Sequence, residues 1–302
     1  MMPDTMTSLD TVLQQAEALH QPITAAVVAT EEHVLEAALL AAKNGLIIPI
    51  LIGEKNAIQN LCSLHGCQFA MVETHSAEEA AMAGVEEVRQ GRAQMLIKGH
   101  LHTAEFLHPI LKHLRHTQRL SHVFIGQLSH YPKLLFITDA VINIAPDLAT
   151  KVDILNNAAK LANALGIERP KVAALSAIED VNAAIPSTID AACLAKMSDR
   201  GQLLAHLQID GPLALDNAIS PEAVRIKGIR SDVAGDADIL LMPDLASGNI
   251  LYKAMEYLAD ARFAGIVLGA SVPVVLTSRA DGLQTRLASI ALGRLAHALN
   301  VF

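Results

Sequence analysis

Short runs rich in Val, Ile and Leu alternate with amphipathic stretches along almost the whole chain, and few folds accept that order. Strand candidates begin with Thr24–Ala29, Pro49–Ile52 and Gln68–Val72, and helical patterns at Glu31–Asn44 and Glu54–His65 separate them. Asn44-Gly45 reads as the C-terminal cap of the first of these helices. Ser76-Ala-Glu-Glu gives an N-cap signal for a helix running through Arg89. A strand at Met95–Ile97, a helix at Thr103–Leu114 and strands at His122–Ile125 and Leu134–Ile137 follow. This alternation predicts an α/β fold, with a mostly parallel sheet covered by helices on both faces.

The character changes near Asp139. TDAVINIAPDLATK leads through Pro146 into a helix at Leu148–Leu165, and a second set of elements begins. It comprises strand Val172–Leu175, helix Ile189–Arg200, loop Asp210–Ser220, strand Ile239–Met242 and helix Asn249–Ala261. Runs at Gly265–Leu268 and Val274–Leu276 then enter a last helix, Gly282–Leu299, which needs an already formed surface to pack on. The expected organisation is two α/β domains, residues 1–139 with 266–302 and residues 140–265. The cleft between them is the expected ligand site.

Composition narrows the function classes. Apolar residues make up 52% of the 302, yet the chain has no Trp, three Tyr and six Phe. Single-stranded nucleic-acid binding relies on aromatic stacking platforms, which this chain lacks. The net charge of −8 also opposes binding to a phosphate backbone, so nucleic acid is not an expected partner. Phe263–Ser278 is uncharged but too short for a membrane helix and is broken by Gly265, Gly269 and Pro273. The first ten residues carry two Asp and no basic residue, unlike a signal peptide, and the expected location is the cytoplasm. Cys62, Cys67 and Cys193 lack scaffold spacing and read as reduced thiols.

The chemistry concentrates in Asp244–Ala288. Ser278 and Arg279 follow the apolar run VPVVL, and ligands in open α/β sheets bind beyond the carboxyl ends of strands. A guanidinium beside the hydroxyls of Thr277 and Ser278 makes a compact oxyanion or phosphate receptor, next to the start of a helix. The bland alternative has Asp281 capping that helix and Arg279 pairing with a surface acid. Ser247-Gly248-Asn249 opens the helix carrying Lys253, as a ligand-facing turn or as an ordinary cap. Asp216 and Ser220 stand four apart and could share a helix face, or could belong to a turn and its cap. Lys98-Gly99 ends a strand and opens a run of seven His within 31 residues, from His100 to His130. That run lacks the carboxylate or thiolate partners a metal takes, and CSLHGC at Cys62–Cys67 offers only three ligands, so no metal is expected.

Taken together, KGHLHTAEFL, ITDAVINIAPDLATK, PSTIDAACLAKMSDRGQ, DGPLALDNAIS, DLASGNILYK and AGIVLGASVPVVLTSRAD resemble the phosphate acetyl/butyryl transferase family. The likeness is nearest to its butyryltransferase branch and extends over nearly the whole chain. It implies acyl transfer between coenzyme A and inorganic phosphate, acyl-CoA + Pi ⇌ acyl phosphate + CoA. It also implies an isocitrate/isopropylmalate dehydrogenase-like fold, a homodimer and no redox cofactor. By motif, Ser278 and Arg279 match a Ser-Arg pair that contacts the reacting carbonyl and phosphate. Asn249 and Lys253 match a Gly-Asn helix start, and Lys98 and Thr103 lie in the matching first-domain segment.

Two positions depart from the family pattern. Leu107-His108 stands where Leu-Arg is common, leaving Arg115 or Arg119 to compensate. Thr285 occupies the place of a proposed Asp base, while Asp281 follows Ser278 by three residues, as in butyryltransferase-like sequences. A thiol of pKa about 8.5 is already roughly a tenth ionised at about pH 7.5, so a base adds at most about tenfold there. Losing one oxyanion donor costs roughly 10²–10³-fold, so Ser278 and Arg279 outweigh the base. Other readings are a non-catalytic CoA or acyl-phosphate binder, and an NAD- and metal-dependent dehydrogenase. The dehydrogenase would need an Asp cluster, for which Asp236 and Asp238 are the nearest acids.

Overall fold

A computed structural model describes residues 5–115, 119–203, 206–278 and 280–302. Helix α1 (Leu9–Glu17) precedes β1 (Ile23–Val28), α2 (Glu32–Lys43), β2 (Ile47–Gly53), α3 (Lys55–His65) and β3 (Ala70–Glu73). Helix α4 (Ala77–Arg89), β4 (Met95–Lys98) and α5 (Thr103–His113) complete this stretch. Next come β5 (Ser121–Gln127), β6 (Leu135–Thr138), α6 (Leu148–Ala164), β7 (Lys171–Leu175), α7 (Pro186–Asp199) and β8 (Gln208–Leu213). They lead to α8 (Leu215–Ile219), α9 (Pro221–Lys227), β9 (Ile239–Leu241), α10 (Leu245–Leu258) and β10 (Arg262–Leu268). The chain closes with β11 (Val274–Val275) and α11 (Leu283–Ala298). The fold is mixed α/β with mostly parallel strand pairing. Among the described residues no helix is long and apolar enough to cross a membrane.

Two compact units emerge, residues 10–120 with 264–302, and residues 1–9 with 121–263. In the first, the strand order is β3-β2-β1-β4-β11-β10. All neighbours there run parallel except the β10–β11 pair. Strand β1 reads Ile-Thr-Ala-Ala-Val-Val without alternation because both sheet faces are covered. Helix α11 is buried continuously from Arg286 to Ala296, as expected of a last helix docking on a formed surface. Strand β4 ends at Lys98, and Gly99 then passes against β1. A Cβ on Gly99 would lie 2.2 Å from the Ala29 carbonyl oxygen and 2.5 Å from that of Val28, so only glycine fits. Gly99→Ala is expected to destabilise the fold by about 1–3 kcal/mol, visible as a lower urea midpoint at unchanged slope.

In the second unit the order is β5-β6-β9-β7-β8, parallel except for β5–β6. This division differs from the expected break at 139, because β6 pairs with both β5 and β9 and draws both early strands into the later set. The expected loop at Asp210 is instead the end of β8, paired with β7 through Ala173–Asp210 and Leu175–Leu213. Pro212 lacks an N–H and is tolerated because β8 is an edge strand. Helices α7 and α10 begin earlier than expected, at Pro186 and Leu245, since Pro suits a first turn and Asp244 caps α10 by accepting from the Ser247 amide. Aromatic rings anchor this core: Phe124 stacks on Tyr252 at 3.9 Å, and Phe263 meets Tyr252 edge-on at 5.0 Å.

Candidate active site

In the first unit, β11 runs parallel to β4 and delivers Thr277 and Ser278 beyond its carboxyl end. The chain then turns tightly. The Asp281 carboxylate accepts from the Ser278 amide at 2.8 Å, and the Asp281 amide donates to the Ser278 carbonyl at 3.2 Å. Asp281 therefore folds the tip rather than capping α11, whose N-cap is Gly282 without a side-chain bond. Arg286 closes the arrangement from inside α11, and only 4% of it is exposed. Its guanidinium donates to Thr277 Oγ1 at 3.2 Å, the Ser278 carbonyl at 3.1 Å and the Asp281 carbonyl at 3.1 Å. Thr277 is buried and its hydroxyl accepts from Arg286, whereas Ser278 is half-buried. Arg279 lies outside the described residues.

Lys98 belongs to the same sheet edge. The Val275–Ile97 register puts it level with Leu276, one strand from the tip, where it is buried and donates to the Gly99 carbonyl at 3.3 Å. Thr103 starts α5 at this edge, in front of an α5 cap in which Glu105 accepts from the His102 amide at 2.9 Å. Arg115 and Arg119 are not brought there. Both are exposed and lie where β11 begins: Arg115 forms an isolated bridge with Ala270, and Gly269 packs on the Arg119 carbonyl. Helix α5 carries the chain away from the tip before either arginine is reached. His108 is exposed on its outer side, beside Glu78 and Lys112.

In the second unit, Gly248 and Asn249 sit inside α10 rather than opening it. A Cβ at Gly248 would come within 2.9 Å of the Asp139 carbonyl oxygen and 3.0 Å of Ala140, so glycine allows α10 to press on that segment. Asn249 donates to the Ala140 carbonyl at 3.3 Å. The segment is built around Asp139, whose carboxylate accepts from the amides of Val141, Ile142 and Asn143 and from the Asn143 side chain. Burial pushes the Asp139 pKa up, against the pull of those donors. Lys253 is exposed, with its ammonium 5.7 Å from the Tyr252 ring centre and 6.0 Å from that of Tyr257.

Asp216 and Ser220 take structural partners. Asp216 pairs with Lys227 at 3.0 Å, a hydrogen bond that lowers the carboxyl pKa. Ser220 caps α9 by accepting from the Ala223 amide at 3.2 Å. Asp236 and Asp238 are likewise engaged: Lys133 reaches both, at 2.8 and 2.6 Å, and Lys171 reaches Asp236 at 2.6 Å. Among the described residues, His65 with Glu32 and Glu36 gathers ligand atoms within 4.8 Å of one another, and none of the run from His100 to His130 joins such a group.

Sequence reasoning missed Arg286 and the Lys151–Asp190 pair. Arg286 carries a faint signal, since a cation near the start of a helix opposes the macrodipole and needs a reason to be there. Lys151 gives none. It lies one turn into α6, yet its side chain is only 5% exposed and meets Asp190 at 2.6 Å.

Comparison with known proteins agrees with this architecture. A family described as phosphate acetyl/butaryl transferase matches residues 56–293. The chain is 43% identical to a phosphate butyryltransferase of Clostridium acetobutylicum over 294 residues, covering 95% of this chain and 97% of the relative. It is 46% identical to a phosphate acetyltransferase of Rhizobium meliloti over 292 residues, covering 95% and 92% respectively. The crystal structure of a branched-chain phosphotransacylase from Enterococcus faecalis superposes with a TM-score of 0.79 at 33% identity, over 91% of this chain and 99% of that one. With that match, and with relatives so similar from end to end, the chain belongs to the phosphate acetyl/butyryl transferase family of acyltransferases.

Proposed function

We propose that this chain interconverts a short-chain acyl-CoA and phosphate with an acyl phosphate and CoA. The observation that carries the reading is the clamped tip beyond β11. Two donors of a buried arginine hold backbone carbonyls of the tip and a third holds the Thr277 hydroxyl, while the Ser278 side chain is only half-buried. A phosphate oxygen attacks the thioester carbonyl carbon, the C–O bond forms, the C–S bond breaks, and CoA leaves as thiolate to be protonated by solvent. Ser278 donates to the oxyanion that develops on the carbonyl, and Arg279 neutralises the attacking phosphate. Lys98 adds positive charge at the same sheet edge. Asp281 acts by shaping the turn, because its carboxylate already accepts from the Ser278 amide. A dedicated base adds little for a leaving group as acidic as a thiol.

Asn249 and Lys253 are proposed to serve the same substrate pair from α10. The isocitrate/isopropylmalate dehydrogenase-like architecture implied by the resemblance belongs to this proposal. So do the homodimer, the cytoplasmic location and the lack of a redox cofactor. The test is release of free thiol from acetyl-, propionyl- and butyryl-CoA with and without phosphate. Phosphate-dependent release is expected, and its absence with all three thioesters would overturn the reading. Arg279→Ala is expected to raise KM for phosphate at least about tenfold, the value of one charge-assisted hydrogen bond.

A further inference from the structure

The group of side chains around His65 lies in the first unit, and the proposed acyl transfer makes no use of it. In the sequence His65 sits between Cys62 and Cys67, but folding gives it different neighbours. Glu32 and Glu36 stand four apart on α2, so their side chains share one helix face. His65 ends α3, and one ligand atom from each of the three residues lies within 4.8 Å of the other two. Like charges at this helical spacing repel. Among the described residues Glu32 takes no ion pair, and Glu36 has only the exposed His33 at 3.7 Å. No hydrogen bond joins the His65 ring to either carboxylate, and its Nε2 is shut off from solvent without a partner. Two carboxylates short of positive charge, beside a ring nitrogen with an unused lone pair or proton, call for a bound cation.

We propose that Glu32, Glu36 and His65 hold a divalent transition-metal ion of the zinc type, which clasps α2 to the end of α3. Imidazole and carboxylate together suit such an ion, at bond lengths of about 2.0–2.2 Å, and water completes the coordination. Calcium and magnesium prefer an all-oxygen set and are poorer occupants. Atoms bound to one tetrahedral zinc stand roughly 3.4 Å apart, so the three groups close by about 1.4 Å at most, within the rotamer freedom of two glutamates near the surface. Neither cysteine joins the group. Burial, with Cys67 beside it, pushes the Cys62 thiol up to about 11, far from a thiolate ligand near neutrality. By bridging the helices that precede and follow β2, the ion stabilises the folded chain without entering the acyl-transfer chemistry.

Calorimetric titration of chelator-stripped protein with zinc chloride should show one ion bound per chain. Zinc at a hundredfold excess over Kd should raise the melting temperature by about 5 °C. His65→Gln and Glu36→Gln should each weaken binding at least about tenfold and remove most of that rise. Without metal, Glu36→Gln should melt no lower than the wild type, because it relieves a like-charge pair. Cobalt(II) in place of zinc reports the ligands: visible d–d bands are expected without the intense near-ultraviolet absorption of a cobalt–thiolate bond. The site is overturned by the lack of saturable zinc binding at submillimolar concentration, or by binding that survives both substitutions. A thiolate band would overturn it too, by assigning the metal to Cys62 and Cys67.

Discussion

Substituting Arg286 by leucine is expected to lower kcat for acyl transfer by about 10²-fold while leaving KM for CoA unchanged, because the reacting groups are misplaced rather than removed. The guanidinium touches no substrate in this reading. It holds Thr277, Ser278 and Asp281 at once, and a shift of the tip by about 1 Å is enough for a loss of that size. The same change should cost about 3 kcal/mol of stability, since three acceptors lose a partner in a buried setting. Urea unfolding reads that loss directly. Arg286→Lys keeps the charge but not the planar fork, so it should fall between wild type and leucine in both respects. A variant that loses stability while its residual folded enzyme keeps full kcat would reduce Arg286 to a structural residue.

Ser278→Ala should have an effect of similar size on turnover by a different route. Removing one donor to a developing oxyanion costs roughly 10²–10³ in kcat. The neighbouring hydroxyl cannot substitute, because Thr277 is buried and bonded to Arg286. Stability should stay within about 0.5 kcal/mol, as for other substitutions that break no buried network. Steady-state rates with saturating phosphate and butyryl-CoA, set beside a thermal melt, separate this outcome from that of Arg286→Leu. A Ser278→Ala enzyme with near-normal kcat would remove Ser278 from the chemistry.

Much of this arrangement was readable from the residues. The alternation of β-branched runs with helical patterns located nearly every element, because a parallel sheet buried on both faces leaves an unbroken apolar run where each strand lies. The same uniformity hides strand direction. Nothing in His122–Ile125 or Leu134–Ile137 distinguishes the antiparallel β5–β6 pair from its parallel neighbours, so the sequence carries no sign that these strands group with the later set. Strand β8 was hidden for a different reason: Gly211-Pro212 is a breaker by rule, and only its edge position makes it acceptable.

At the site, residues adjacent in sequence were legible and those joined only by folding were not. Thr277, Ser278 and Asp281 announce themselves after VPVVL. Arg286 looks like any helix cation until the turn wraps around it. For Asp216 and Ser220 the spacing gave no hint of their partners, Lys227 for the first and the Ala223 amide for the second. Arg115 and Arg119 had no pattern to place them, and the course of α5 carries them to the start of β11 rather than its end.

The stack of Tyr252 on Phe124 has a practical consequence. The chain has no Trp, and its three Tyr, at 131, 252 and 257, all lie in the unit formed by residues 1–9 and 121–263. Tyrosine emission therefore comes from that unit alone, and the one bearing Ser278 contributes none of it. Circular dichroism sees both. Following the two signals through a single denaturation distinguishes a molecule that melts as one body from one whose halves part company first, with no label attached.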